Sequence, residues 1–230
     1  MPTRDINVKD GGNLPINEFK LEFMVTNPSI VMIAKKGSGK SWICRALLNH
    51  FRNIPCGLII ASTDRMNCFY GNFFPDCYIF YEYKSEILER LLYRQQTMIE
   101  KQIDKRKRGK KIDPRAFIVM DDCLARKGTW MRDPQMYELL FNGRHYQLMY
   151  ILTMQFPLGI TPELRCNFDY IFLLAEDFTS NMKRIYDHYA GMFPTFEAFR
   201  QVYSQLTEGF SCMVIRNTKR KTKYDEEMNR

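Results

Sequence analysis

The chain has 230 residues, 45% of them hydrophobic and 26% charged, which suffices for one sizeable core and is ordinary for a globular protein. No run of about 18 apolar residues could span a bilayer, and Met1-Pro2-Thr3-Arg4-Asp5 lacks the apolar stretch of a secretory leader, so a secreted protein is not expected. The net charge is +8, and two segments, 101–111 and 216–223, hold 12 of the 34 basic residues with one of the 26 acids; such localised charge suits a polyanion, DNA or RNA, bound through its phosphates, or a solvated helix end and tail.

In chain order, residues 1–18, with Gly11-Gly12 and two prolines, read as an irregular leading arm, and a short strand is predicted near 19–25 before a turn at Pro28. A core strand over 30–34 then runs into Ala34-Lys35-Lys36-Gly37-Ser38-Gly39-Lys40-Ser41, and residues 41–51 read as a helix. Glycines in such a loop let backbone N–H groups turn inward on a phosphate, with the positive end of the helix facing the anion. Lys40 would reach the β- and γ-phosphates and the Ser41 hydroxyl would ligate Mg²⁺. Ala34 stands where the strict motif has its first glycine, and Lys35 and Lys36 can touch phosphate or face solvent. The plain alternative is a chance Gly/Ser/Lys turn.

Gly57-Leu58-Ile59-Ile60-Ala61 has the continuous apolar character of a buried parallel strand, and 78–80 predicts another. A long helix begins at Ser85, because Ile87, Leu88, Leu91, Leu92, Met98, Ile99 and Ile103 recur at three- and four-residue intervals; it leads into the first basic segment and stops at Gly109 and Pro114. Ala116-Phe117-Ile118-Val119-Met120 is a fully apolar strand that closes on Asp121-Asp122. Asp133-Pro134 reads as an N-cap with proline at the first helical position, and Asn142-Gly143 as the helix stop. Strands over 148–153, 170–174 and 210–215 and helices over 180–189 and 196–206 complete an alternating α/β pattern with a mainly parallel sheet.

In an open parallel sheet, ligands sit at the carboxyl ends of the strands, which gathers residues 34–41, Asp121-Asp122 and Gln155 on one edge. Asp121 is placed to hold Mg²⁺, mostly through water, opposite Ser41; Asp122 to accept a proton from an attacking water or orient it; Gln155 to bond that water or the γ-phosphate as a sensor. Their plain alternatives are carboxylates that cap a turn and a polar residue ahead of Phe156-Pro157. Arg144, beyond the Asn142-Gly143 stop, faces outward from the chain's own phosphate site, so it is either a finger entering a neighbouring subunit's site or an ordinary surface arginine. Seven cysteines (44, 56, 68, 77, 123, 166, 212) contain no Cys-x-x-Cys pair, which points to buried thiols and a reducing compartment, and histidines 50, 145 and 188 stand apart without zinc-ligand spacing.

Taken together, Ala34-x4-Gly39-Lys40-Ser41, Phe117-Ile118-Val119-Met120-Asp121-Asp122, Asn142-Gly143-Arg144-His145 and Leu152-Thr153-Met154-Gln155 resemble the genome-packaging ATPases of large double-stranded DNA viruses, a poxvirus-like family within the FtsK–HerA superfamily. The similarity covers roughly residues 28–175. It implies a RecA-like (ASCE) P-loop core, with the sheet sandwiched by helices, that binds ATP and Mg²⁺. It further implies a homo-oligomeric ring moving double-stranded DNA, without sequence preference, into a capsid through a capsid or portal component in the host cytoplasm, at the site of assembly or on the virion. It gives Lys40 and Ser41 as phosphate and Mg²⁺ ligands, Asp121-Asp122 as the acidic motif, Gln155 as sensor and Arg144 as the trans-acting finger. The wider superfamily usually has glutamate at the position of Asp122, and nothing after Leu174 looks like a nuclease.

The expected organisation is an arm and strand over 1–27, one P-loop ATPase domain over 28–215 and a basic tail over 216–230. A P-loop kinase and a nucleotide-dependent switch or DNA-binding ATPase without motor action are the alternatives. The strand Gly57–Ala61, taken to lie between the loop strand and the acidic strand, argues against the kinase.

Overall fold

The computed structural model describes residues 3–8, 12–123, 130–157 and 160–218. Two strands, β1 (Thr3–Val8) and β2 (Gly12–Asn17), pair as an antiparallel ribbon in register Thr3↔Asn17. The leading arm is therefore not irregular. Pro15, opposite Asp5, and the charged residues of this stretch hide the period-two signal that marks a strand with one buried face. The strand expected over 19–25 is absent; Leu21–Phe23 is a single 3-10 turn.

Next come β3 (Ser29–Ile33), α1 (Lys40–His50), β4 (Gly57–Ala61), the one-turn α2 (Asp64–Asn67), β5 (Ile79–Phe80), α3 (Ser85–Lys107) and β6 (Ala116–Asp121). They are followed by α4 (Pro134–Asn142), β7 (Leu148–Met154), the short α5 (Pro162–Arg165), β8 (Tyr170–Leu173), α6 (Thr179–Tyr189), α7 (Phe196–Leu206) and β9 (Met213–Arg216). As expected, Asp133 caps α4, accepting from the Gln135 N–H at 2.8 Å, and Pro134 opens it. Gly143 ends that helix for a different reason from a left-handed cap: its φ is −51°, and a Cβ there would come within 2.5 Å of the Leu139 carbonyl and 3.0 Å of the Tyr150 ring.

Seven strands form one sheet in the order β5-β4-β6-β7-β3-β8-β9, parallel throughout except for β9, which runs against β8. The last strand begins at Met213, later than expected, because Glu208–Phe210 forms a 3-10 turn first. The strand between β3 and β6 is β7; Gly57–Ala61 lies on the far side of β6, which corrects the placement expected from chain order.

Alternation along the strands builds two cores. Val31 and Ile33, Ile118 and Met120, and Tyr150 and Leu152 face the layer of Leu88 and Leu92 from α3, Leu139 from α4, Ile185 from α6 and Phe199 from α7. Ile30 and Met32, Phe117 and Val119, and Met149 and Ile151 face Cys44 and Leu47 of α1 and Tyr70. Every residue of β3, β6 and β7 is buried, and each fully buried aliphatic side chain contributes about 1.5–3 kcal/mol, so the position of the strand ends is held by the core and not by the loops.

Candidate active site

The carboxyl ends of β3, β6 and β7 carry the predicted residues. After β3, Ala34 is 2% exposed and its N–H donates to the Met154 carbonyl at 3.0 Å, which ties the start of the loop to the end of β7. Gly37 (φ 81°) and Gly39 (φ 91°) occupy the left-handed region, where an L side chain is strained, and Gly39 is the N-cap residue of α1. The Ser38 hydroxyl donates to the Lys35 carbonyl at 2.7 Å and closes the loop. Lys36 and Gly37 are exposed, Ser41 is half-buried in the first turn of α1, and Lys35 pairs with Asp177 from the segment after β8.

Lys40 is 8% exposed and reaches across the sheet edge. Its ammonium pairs with Asp122 and lies 3.7 Å from Asp121 Oδ1. A buried cation needs such a counter-charge, and phosphate oxygens supply the same kind of partner. The Gln155 side-chain amide donates to Asp122 Oδ2 at 3.0 Å. Lys40, Asp122 and Gln155, expected on one edge, are thus in direct contact. Asp122 has φ 49°, a left-handed conformation uncommon outside glycine. Its own N–H donates to Thr153 Oγ1 at 3.0 Å, which fixes the turn that aims its carboxylate at Lys40.

Asp121 is 5% exposed and held from both sides. The Thr153 hydroxyl donates to Oδ1 at 2.6 Å and the Tyr70 hydroxyl donates to Oδ2 at 2.9 Å. Burial, together with Cys44 and Asp121 nearby, pushes the Tyr70 hydroxyl far above its usual value, so it stays a donor. The Asp64 carboxylate accepts from the N–H groups of Tyr70 (2.7 Å) and Gly71 (3.2 Å) and holds that segment in place. Burial also raises the Cys44 thiol, and with the charge of Asp121 it pushes Cys123 up to about 12, so both remain neutral beside the acidic pair.

The sequence assigns no role to Tyr70 or Asp64, nor to Thr153 within the Leu152-Thr153-Met154-Gln155 segment. Thr153 had a signal, as the only hydroxyl-bearing aliphatic residue in the buried run LMYILTM; Tyr70 had none within its aromatic stretch.

Arg144 lies at the other edge. β3 runs from Ser29 to Ile33, so the amino edge is roughly 15 Å from the phosphate loop at about 3.3 Å per residue. There Arg144, its side chain 70% exposed, pairs with Asp169, which is 3% exposed. Asp169 Oδ2 accepts from the Ser29 N–H at 3.0 Å and the Ser29 hydroxyl at 2.9 Å. A cavity of about 520 Å³ opens beside them, lined by Ser29, Phe141, Arg144, His145, Asp169 and Asn217 among others. The first basic segment sits at this same edge: it closes α3, where Gln102 accepts from the Gln147 amide at 3.0 Å, and its Lys and Arg side chains are mostly exposed. β9 also ends here, at Arg216; the rest of the second basic segment, from residue 219, lies outside the described residues.

The parallel sheet between two helical layers, the left-handed glycine loop on β3, and the acidic pair and glutamine delivered by β6 and β7 define a RecA-like P-loop NTPase fold. The sheet order with β7 between the loop strand and the acidic strand belongs to the same description. The chain belongs to the family described as Poxvirus A32 protein, whose family model matches residues 17–185, as the resemblance of the motifs led us to expect. It is 55% identical over 211 residues to an uncharacterized protein of Acanthamoeba polyphaga mimivirus, covering 92% of this chain and 74% of that one. A protein of Invertebrate iridescent virus 6 is 36% identical over 195 residues, covering 84% and 72%. Among solved structures, the genome packaging NTPase B204 of Sulfolobus turreted icosahedral virus 2 in complex with AMP superposes with TM-score 0.58 at 16% identity, over 87% of this chain and 99% of that one. ATPases 2 and 3 of EssC from Geobacillus thermodenitrificans match with TM-score 0.56 at 15% identity, over 99% and 47%. At these identities the likeness is one of fold.

Proposed function

We propose that this chain hydrolyses ATP and couples the reaction to the movement of double-stranded viral DNA into a capsid. The observation that carries the reading is the meeting of Lys40, Asp122 and Gln155 from the ends of three separate strands or loops at one edge of the sheet. Family membership and the fold shared with a genome packaging NTPase solved with AMP and ATP-gammaS support it.

In this reading the backbone of residues 34–39 and the Lys40 ammonium hold the β- and γ-phosphates, with Lys35 and Lys36 beside them. Nucleotide phosphate competes with Asp122 for Lys40, so binding releases the Asp122 carboxylate to orient a water and take its proton. Gln155, already bonded to Asp122, shares that water and reports the loss of the γ-phosphate to β7. Ser41 and Asp121 would hold Mg²⁺; the hydroxyls of Thr153 and Tyr70 occupy one acceptor site on each Asp121 oxygen and leave the remaining lone pairs available, so the donor set suits a hard, oxygen-seeking cation. When bound, such a cation offsets charge on the terminal phosphates.

Arg144, remote from its own chain's phosphate loop, serves a neighbouring copy in a closed ring, where head-to-tail packing sets one subunit's amino edge against the next one's carboxyl edge. The exposed basic end of α3 contacts DNA phosphates without reading sequence, and a capsid or portal component receives the motor in the host cytoplasm. Among the described residues no helix is long and apolar enough to cross a membrane. Phosphate release from ATP with and without duplex DNA tests the proposal. DNA-stimulated release is expected. A rate indifferent to DNA contradicts the motor, and transfer of phosphate to an acceptor other than water points to the kinase.

A further inference from the structure

We propose that the ring of Phe210 is the surface on which the base of the bound nucleotide stacks; this rests on the nucleotide site proposed above. The direction of a triphosphate in that site follows from the edge of the sheet. Lys40, Asp122 and Gln155 lie toward β6 and β7, so the terminal phosphate points that way. The nucleoside then leaves on the opposite flank of β3, where β8 and β9 stand. Because β9 runs against β8, the residues that enter it arrive at the carboxyl edge, beside the phosphate loop.

Phe210 is among those residues. Its Cδ1 lies 3.6 Å from the position a Cβ would take on Gly39, the N-cap residue of α1, yet the residue is 77% exposed. A large aromatic ring stands beside the phosphate loop with most of its surface open to solvent, which offers a planar group a face to stack on. The backbone points the same way. Gly209 (φ 62°) and Phe210 (φ 64°) are consecutive left-handed residues, and for a bulky side chain that conformation is strained and concentrates at ligand clamps. The turn is anchored: Thr207, 5% exposed, donates from its hydroxyl to the Tyr203 carbonyl at 2.8 Å, and the Ser211 N–H donates to the Glu208 carbonyl at 3.2 Å. The ring is thus held out by a fixed post.

Trp42, the other large exposed aromatic next to the loop, is engaged elsewhere. It packs edge-on to Phe69 at 5.7 Å, on the β4 flank, with the Arg45 guanidinium 5.5 Å from its ring. A phenyl ring reads the face of a base and not its edge, and stacking of this kind tolerates different bases.

The test separates base from phosphate. Competition by Mg-ATP and by magnesium tripolyphosphate, which has no base, is measured on the full chain and on Phe210→Ala, Phe210→Tyr and Trp42→Ala. Phe210→Ala should lose about tenfold in ATP affinity with tripolyphosphate unchanged, and Phe210→Tyr should keep the wild-type values. An equal loss for both ligands would mean that Phe210 shapes the loop and does not meet the base, which overturns the proposal. So would an unchanged ATP affinity, or a base-selective loss in Trp42→Ala in place of Phe210→Ala. If the wild type binds neither ligand, the nucleotide site itself is refuted and this proposal with it, an outcome distinct from failure at Phe210 alone.

Discussion

Gln155 and Asp122, 33 residues apart in the chain, are joined by a hydrogen bond of 3.0 Å between the ends of neighbouring strands. The same carboxylate holds Lys40, so a loop, an acid and an amide share one oxygen. In the proposed mechanism, an anion that draws Lys40 away would leave Gln155 as the remaining partner of that oxygen and so would be sensed at the end of β7. That contact is where hydrolysis would be turned into movement.

Asp122→Asn keeps the shape and the bond to Gln155 but removes the base. ATP binding should persist while turnover falls by about 10²–10⁴, the usual contribution of a positioned general base. Quenched-flow phosphate release alongside equilibrium nucleotide binding checks it; undiminished turnover removes Asp122 from the mechanism.

Thr153 and Tyr70 position Asp121. Thr153→Val replaces the hydroxyl with a methyl and leaves Asp121 Oδ1 and the Asp122 N–H without that partner, at a cost of about 1–3 kcal/mol in urea unfolding. Tyr70→Phe removes the donor to Oδ2, and the Mg²⁺ concentration needed for half-maximal hydrolysis should rise by about 10–100-fold, as for other residues that orient a metal's ligand. An unchanged Mg²⁺ requirement would show that Tyr70 serves packing alone.

Arg144→Ala should leave each subunit able to bind ATP but silence its neighbour. Mixed with wild type, it should depress activity beyond dilution, and homogeneous variant should lose about 10³-fold. Activity that falls only in proportion to the wild-type fraction puts the arginine outside the mechanism and leaves it its structural pair with the buried Asp169.

The basic end of α3 should make DNA binding steeply salt-dependent. Replacing Lys105, Arg106 and Lys107 with Ala should flatten the slope of log affinity against log salt by about 0.9 for each DNA phosphate that is no longer neutralised, with no change in sequence preference. An unaltered slope would exclude this segment from the DNA path.

Much of this was legible beforehand because strong periodicity and strand-end chemistry coincide. The phosphate loop followed a fully apolar strand, Asp121-Asp122 closed another, and α7 over Phe196–Leu206 and the capped start of α4 at Pro134 lie where pattern and capping put them. What escaped was spatial order. Chain order suggested β4 as the strand beside the phosphate-loop strand, whereas the sheet puts β7 there, a choice made by long-range packing that no local pattern encodes. The β1–β2 ribbon escaped because its charged and proline-containing strands lack the alternation of a one-sided strand. Tyr70 escaped because its partner, Asp121, is 51 residues away.

The most direct test is calorimetric titration of the protein with ATP, with and without Mg²⁺, beside Lys40→Ala. Magnesium-dependent uptake of one nucleotide per chain, abolished by the substitution, is the predicted result. Absence of magnesium-dependent uptake, or uptake indifferent to Lys40, would contradict the proposed site.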